Sequence, residues 1–193
     1  MLPAGSVMSS EIPIRVDTVP TPNPNAIMLR VQETLVASGT HEYTPDDDLK
    51  SSPLAQALLS IKGIELILIA PRFVTLRKSE DFEWPDIAPI AKDAMREFLG
   101  SSQMAVFESG EQIDPAQLGA IEQHILKLLN EEIRPAIAMD GGDLNYMGFE
   151  DGVVKVQMIG ACGSCPSATA TLKMGIERLL VEEVPEVRAV EQV

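Results

Sequence analysis

The chain has two cysteines, Cys162 and Cys165, in the segment Gly160-Ala161-Cys162-Gly163-Ser164-Cys165-Pro166. Thiolates ligate metals and attack disulfides, so this pair carries the chemical question. Gly160 and Gly163 allow a tight turn and a close approach of backbone to a bound group. Pro166 suits the first turn of a helix. The sulfurs are therefore expected near a helix N-terminus, where unpaired N–H groups and the positive dipole end favour the thiolate. No apolar residue separates the two cysteines, and the pair is expected to face a surface.

Four uses of such a pair stand open. The first is a pair of unreactive thiols. The second is a thioredoxin-like redox pair, which uses the same spacing but favours a βαβ context. The third is zinc, which wants four ligands. The chain adds only His41, in the other half, and His124, on a helix with no second histidine at ligand spacing. The fourth is an iron–sulfur cluster held by four thiolates. One chain supplies two and a symmetric pair of chains supplies four. A zinc ion bridging a dimer satisfies that count as well.

The elements that must position the loop follow from periodicity and punctuation. Upstream, Asp114-Pro115 reads as the cap and first turn of a helix whose apolar stripe runs Leu118, Ile121, Ile125, Leu128, Leu129, Ile133. Pro135 ends or bends it. Asp140-Gly141-Gly142-Asp143 is a turn. Strands Leu144–Phe149 and Val153–Ile159 are joined by Asp151-Gly152, a strong hairpin signal. After the cysteines come a helix from about Ser167 to Val181 and a closing strand, Val187–Val193. The order is α-β-β-α-β.

The first half starts with Val19–Asn25, written VPTPNPN, whose prolines dictate an extended entry. Ala26–Val36 alternates as a half-buried strand, with Met28 on the polar side. Ser52-Pro53 caps a helix bearing Leu54, Leu58, Leu59 and Ile61 on one face. Ile64–Ala70 and Phe73–Lys78 form a hairpin, and Asp86–Leu99 is a second helix stopped by Gly100. The small and polar residues after Gly100 mark the boundary, although Met104–Phe107 could add a short strand. The fold class is thus α+β: two small α+β domains at 12–100 and 112–193, joined by a linker at 101–111.

Composition narrows the function. Fifteen basic and 29 acidic residues give a net charge of −14. The excess splits as −6 over 1–108 and −8 over 109–193. That argues against nucleic acid and against anionic membrane surfaces. Apolar residues at 45% rule against disorder. No apolar run approaches the ~18 residues of a membrane span. The start, Met1–Ile14, lacks Lys and Arg, so a cytoplasmic location is the default and a trimmed mitochondrial matrix protein the alternative.

Other residues invite a functional reading, and most have a plainer one. Asp140 and Asp143 read as turn chemistry and Asp46–Asp48 as a solvated helix lead-in. Asn23 and Asn25 read as a rigid turn. Met139, Met147, Met158 and Met174 read as packing, with Met174 able to shield the loop. Trp84 reads as core, with a partner contact the alternative. Lys173 and Arg178 read as helix decoration.

The residues from Gly160 to Leu172, GACGSCPSATATL, with Lys173–Glu177 after them and Arg134-Pro135 and Asp140–Asp143 before, resemble the NifU C-terminal-like domain. Thr21-Pro22-Asn23-Pro24-Asn25 and Phe73-Val74-Thr75 are similar to the Nfu N-terminal domain. Together the chain resembles the Nfu iron–sulfur carrier proteins over residues 14–190. It lacks the additional cysteines of full-length NifU and so resembles the short, two-domain type. The resemblance implies a cluster carrier or scaffold rather than an enzyme. It implies Cys162 and Cys165 as ligands, a [4Fe-4S] cluster, with [2Fe-2S] the alternative, bridging a homodimer, and transfer to apo-proteins after loading by upstream assembly proteins. The first domain is then an adaptor or docking module. A thiol–disulfide oxidoreductase using the same sulfurs is the rival.

Overall fold

The computed structural model describes residues 14–101, 103–106, 118–163 and 166–193. The expected helix start at Asp114-Pro115 and most of the expected linker lie outside them.

In the first half, the prolines hold residues 21–25 out of a helix, and β1 (Asp17–Pro20) turns back as β2 (Ala26–Arg30). The strand expected to run to Val36 stops at Arg30. Beyond it Val31 and Leu35 donate N–H bonds to the carbonyls of Arg72 and Pro71, so the chain wraps over the next turn instead of extending the ladder. β3 (His41–Tyr43) is three residues long, too short to show a period. α1 (Pro53–Leu59) starts as expected, with Ser52 Oγ accepting from Ala55 N. β4 (Ile64–Ala70) and β5 (Phe73–Lys78) form the expected hairpin, and α2 (Trp84–Gly100) begins two residues earlier than expected. The five strands form one antiparallel sheet in the order β1-β2-β5-β4-β3.

α1 and α2 lie on one face of this sheet. Leu54, Leu58, Ile87 and Met95 pack there against Ile27, Leu29, Ile67, Ile69, Val74 and Leu76. Ala105 and Val106 join the same core, and Met104 to Val106 form no strand. Phe107 lies outside the described residues.

The second half is the α-β-β-α-β unit, with its first helix divided. α3 (Ala120–Leu128) passes through a five-residue π-helical segment, Leu129–Ile133, into α4 (Arg134–Met139). Pro135 has no N–H and its ring crowds the preceding turn; the widened turn takes up the misfit and the helix continues. β6 (Gly142–Glu150) and β7 (Val153–Gly160) are antiparallel, with Asp151 and Gly152 both at positive φ in the tight turn. α5 (Pro166–Glu183) leads to β8 (Ala189–Gln192), which pairs parallel to β7. Ile125, Leu129 and Ile137 meet Leu144, Val156, Ile176, Leu180 and Val190 in a second core. The fold class is α+β.

One row of residues crosses the first sheet on the face away from its helices. Glu42 pairs with Leu68, Leu68 with Thr75, and Thr75 with Met28. Paired residues on neighbouring strands share a face. Helix-free faces of antiparallel sheets ordinarily meet water. Here Met28, Leu68 and Thr75 are fully buried. Met28, expected on the polar side, is buried because the second unit covers it. The same cover explains the apolar run Leu66–Ala70 of β4, which is buried on both faces.

Candidate functional site

The cysteine loop begins where β7 ends. Gly160 has φ +71°, in the left-handed region that favours glycine. The chain then folds back across the start of β6: Ala161 N donates to Gly141 O at 3.2 Å and Gly163 N to Gly160 O at 3.3 Å. A Cβ on Gly142 would stand 2.6 Å from Cys162 Sγ, so the missing side chain leaves the pit in which the sulfur sits.

Cys162 is 4% exposed and belongs to the second core. The expectation that both thiols face a surface is therefore corrected for Cys162. The Gly160 turn and the Gly142 pit draw it inward, and neither is visible as cysteine spacing. Cys165 lies outside the described residues. Pro166 opens α5 at its first residue, as expected.

Side chains of the first unit reach this loop. Asn23 Nδ2 donates to Ala161 O at 3.2 Å. Gly160 N donates to Glu42 Oε2. Thr75 Oγ1 donates to Gly141 O at 2.6 Å. Thr40 Oγ1 donates to Asp143 Oδ2 at 2.7 Å. That carboxylate also pairs with Arg134 Nη1 at 2.8 Å and accepts from Leu144 N. Burial pushes the Glu42 carboxyl above the usual range, while the Gly160 N–H and Arg77 pull the other way.

The remaining candidates resolve by contact. Asn23 makes the expected turn, its Oδ1 accepting from Asn25 N, and also the contact to Ala161 that the sequence did not show. Asp143 is a buried ion-pair partner; Asp140 is exposed and stands apart from that pair. Asp47 and Asp48 cap Thr44 and Lys50, the expected lead-in chemistry. Trp84 packs against the first core and donates Nε1 to Pro24 O at 3.0 Å. Of the four methionines only Met158 packs; Met139, Met147 and Met174 are exposed, which corrects that reading. Arg178 makes a surface pair with Glu182, helix decoration as expected. Among the described residues no three of His, Cys, Asp and Glu converge on one point. Nor is any described helix long and apolar enough to cross a membrane.

The class of protein is a tandem of two small α+β units, the second with a CxxC sequence between strand and helix. Residues 16–102 match the family described as scaffold protein Nfu/NifU N terminal, and residues 125–191 match the NifU-like domain. NifU-like protein 5, mitochondrial, of Arabidopsis thaliana is 37% identical over 187 residues, covering 92% of this chain and 67% of that protein. The NFU1 iron-sulfur cluster scaffold homolog, mitochondrial, of Drosophila ananassae is 35% identical over 182 residues, covering 92% of this chain and 64% of that protein. The chain belongs to the Nfu/NifU-like family of iron–sulfur cluster scaffold proteins. It spans about two thirds of the length of these relatives.

Proposed function

We propose that this chain carries an iron–sulfur cluster as cargo, held between two protomers and passed to apo-proteins. Cys162 and Cys165 of each protomer supply the thiolates, and four thiolates complete a [4Fe-4S] shell. A [2Fe-2S] cluster is accommodated by the same four sulfurs. The observation that carries this reading is half a coordination shell on a glycine-rich turn in a NifU-like domain. Cargo shared across an interface is reached by incoming thiolates when the interface opens, and ligand exchange moves it with no bond-making catalysis by the carrier. The protein is thus a carrier rather than a catalyst. Upstream assembly proteins load it and apo iron–sulfur proteins receive from it. The mitochondrial names of the relatives favour the matrix alternative over a cytoplasmic location.

The donor chemistry fits the cargo, since a thiolate is a soft ligand suited to iron–sulfur clusters. The orientation adds a condition. With Sγ seated over Gly142, Cys162 has to leave its pit before it can share a ligand with another chain.

Anaerobic reconstitution with iron and sulfide, read as metal content and molar mass together, tests the proposal. A carrier gives about four iron per dimer and a brown absorbing species. Disulfide reduction by a monomer that takes up no iron would instead establish the oxidoreductase. Zinc retained on anaerobic isolation, with no uptake of iron, would establish a stapled structural dimer.

A further inference from the structure

We infer that the N-terminal domain is a clamp that holds the cysteine loop with Cys162 inward, and that the clamp releases before a second protomer can share a cluster. This rests on the carrier reading above.

The clamp is built from one cross-strand row and the loops at its ends. Leu68 at the centre meets Gly160 so closely that a Cβ there would stand 2.7 Å from Leu68 Cδ2. Gly141 lies against Thr21 and Thr75, each 3.0 Å from where its Cβ would be. Two glycines of the loop region are thus fitted to the face of the other domain as well as to their own turns.

Polar groups fix the register of this apolar contact. Asn23, Glu42 and Thr75 bond the backbone of Ala161, Gly160 and Gly141, and Thr40 bonds Asp143. Three of these bonds hold main-chain atoms on the N-terminal side of Cys162. The bonds from Asn23 and Thr75 point at carbonyls and the one to Glu42 comes from an N–H, so the face recognises a folded loop rather than a side-chain sequence. Asn23 is set for this before contact. Prolines flank it, and Thr21 Oγ1 bonds the carbonyls of Asn23 and Ala26. The Pro-Asn segment, which otherwise reads only as a turn, thereby gains a purpose.

The consequence is steric. A loop whose backbone is covered by its own N-terminal domain cannot also meet a second loop across a twofold axis. The covered form is the apo form, and the cluster-bridged form is the uncovered one. The N-terminal sheet competes with the second protomer for the same loop.

The test uses the full chain in a Cys165→Ser background, where Cys162 is the only cysteine. Its alkylation by N-ethylmaleimide is followed by mass spectrometry in the apo protein. Asn23→Asp keeps the acceptor for Asn25 N and places an oxygen against Ala161 O. Thr75→Val keeps the shape and removes the hydroxyl. Together they should speed alkylation about 10- to 30-fold, as expected for two buried hydrogen bonds. Thr40→Val, which acts at the opposite edge, should speed it by a smaller factor. Thermal unfolding of each variant is measured alongside. An alkylation rate that does not move, or that rises only in proportion to lost global stability, overturns the clamp: the burial of Cys162 then belongs to its own domain. With both cysteines restored, the same variants should load cluster faster. Faster alkylation with no cluster bound under any condition would sink the carrier reading and leave the clamp standing.

Discussion

Gly142→Ala asks where the Cys162 sulfur sits. The new methyl would stand 2.6 Å from Sγ and 3.0 Å from Ile159 O, well inside the ~3.5 Å of ordinary carbon contact. Gly142 is not among the residues at positive φ, so the penalty is steric and not conformational. Ile159 is held in the β6–β7 ladder, paired with Asp143. The thiol and its turn are the parts that can move. Overpacking a fitted interior costs about 1–3 kcal/mol. If the thiol stays, that cost falls on global stability. At roughly 2–4 °C per kcal/mol for a chain of this size, a 2 kcal/mol loss lowers the midpoint by about 4–8 °C. If the turn lifts, the same energy appears as opening, and alkylation of Cys162 in the Cys165→Ser background rises about thirtyfold, at ~1.4 kcal/mol per tenfold. Thermal unfolding and alkylation read the two outcomes separately. A variant that matches its parent in both measurements would refute the placement of the sulfur over Gly142.

Cys162→Ser and Cys165→Ser should each abolish cluster uptake while leaving circular dichroism unchanged, because both cores are packed from the apolar side chains of helices and strands; a full cluster on either variant would refute the ligand assignment. Ser52→Ala removes a cap that accepts from Ala55 N and donates to Ala105 O at 2.6 Å, and should cost about 1–2 kcal/mol in denaturant unfolding. Ser51→Ala, one residue earlier, loses only long contacts, 3.4 Å to Asp48 O and 3.5 Å to Tyr43 Oη, and should change stability by less than about 0.5 kcal/mol. Glu42 is raised above 4.5 in the folded chain, so the folded form binds its proton more tightly than the unfolded form. The stability this gives is full below the unfolded value and is lost as pH rises through the folded value. Glu42→Gln keeps the oxygen that accepts from Gly160 N and should flatten that slope just above pH 4.5 in urea titrations.

Much of the fold was legible because its signals are local. Ser52-Pro53 sets a helix start within one turn, and Asp151-Gly152 closes a hairpin between strands it touches directly. The place of the candidate site was legible for the same reason, since two cysteines three apart with two glycines and a proline mark one short segment, although its spacing alone left four uses of the thiols open. The strand expected beyond Arg30 failed because Val31 and Leu35 find partners at Arg72 and Pro71, some 40 residues away. The helix that runs on past Pro135 shows a neighbouring π turn overriding a local breaker.

The sequence by itself determined that each chain has two thiols three residues apart, and which two apolar cores the periodic elements build. It could not determine which way Cys162 points, why Met28 is buried, or what Asp143 does. Those depend on Gly142, on the second unit covering the first sheet, and on Thr40 and Arg134 closing on one carboxylate. Periodicity reports how an element divides its own surface between core and water. It carries nothing about a surface that another domain, more than 100 residues away along the chain, takes out of water.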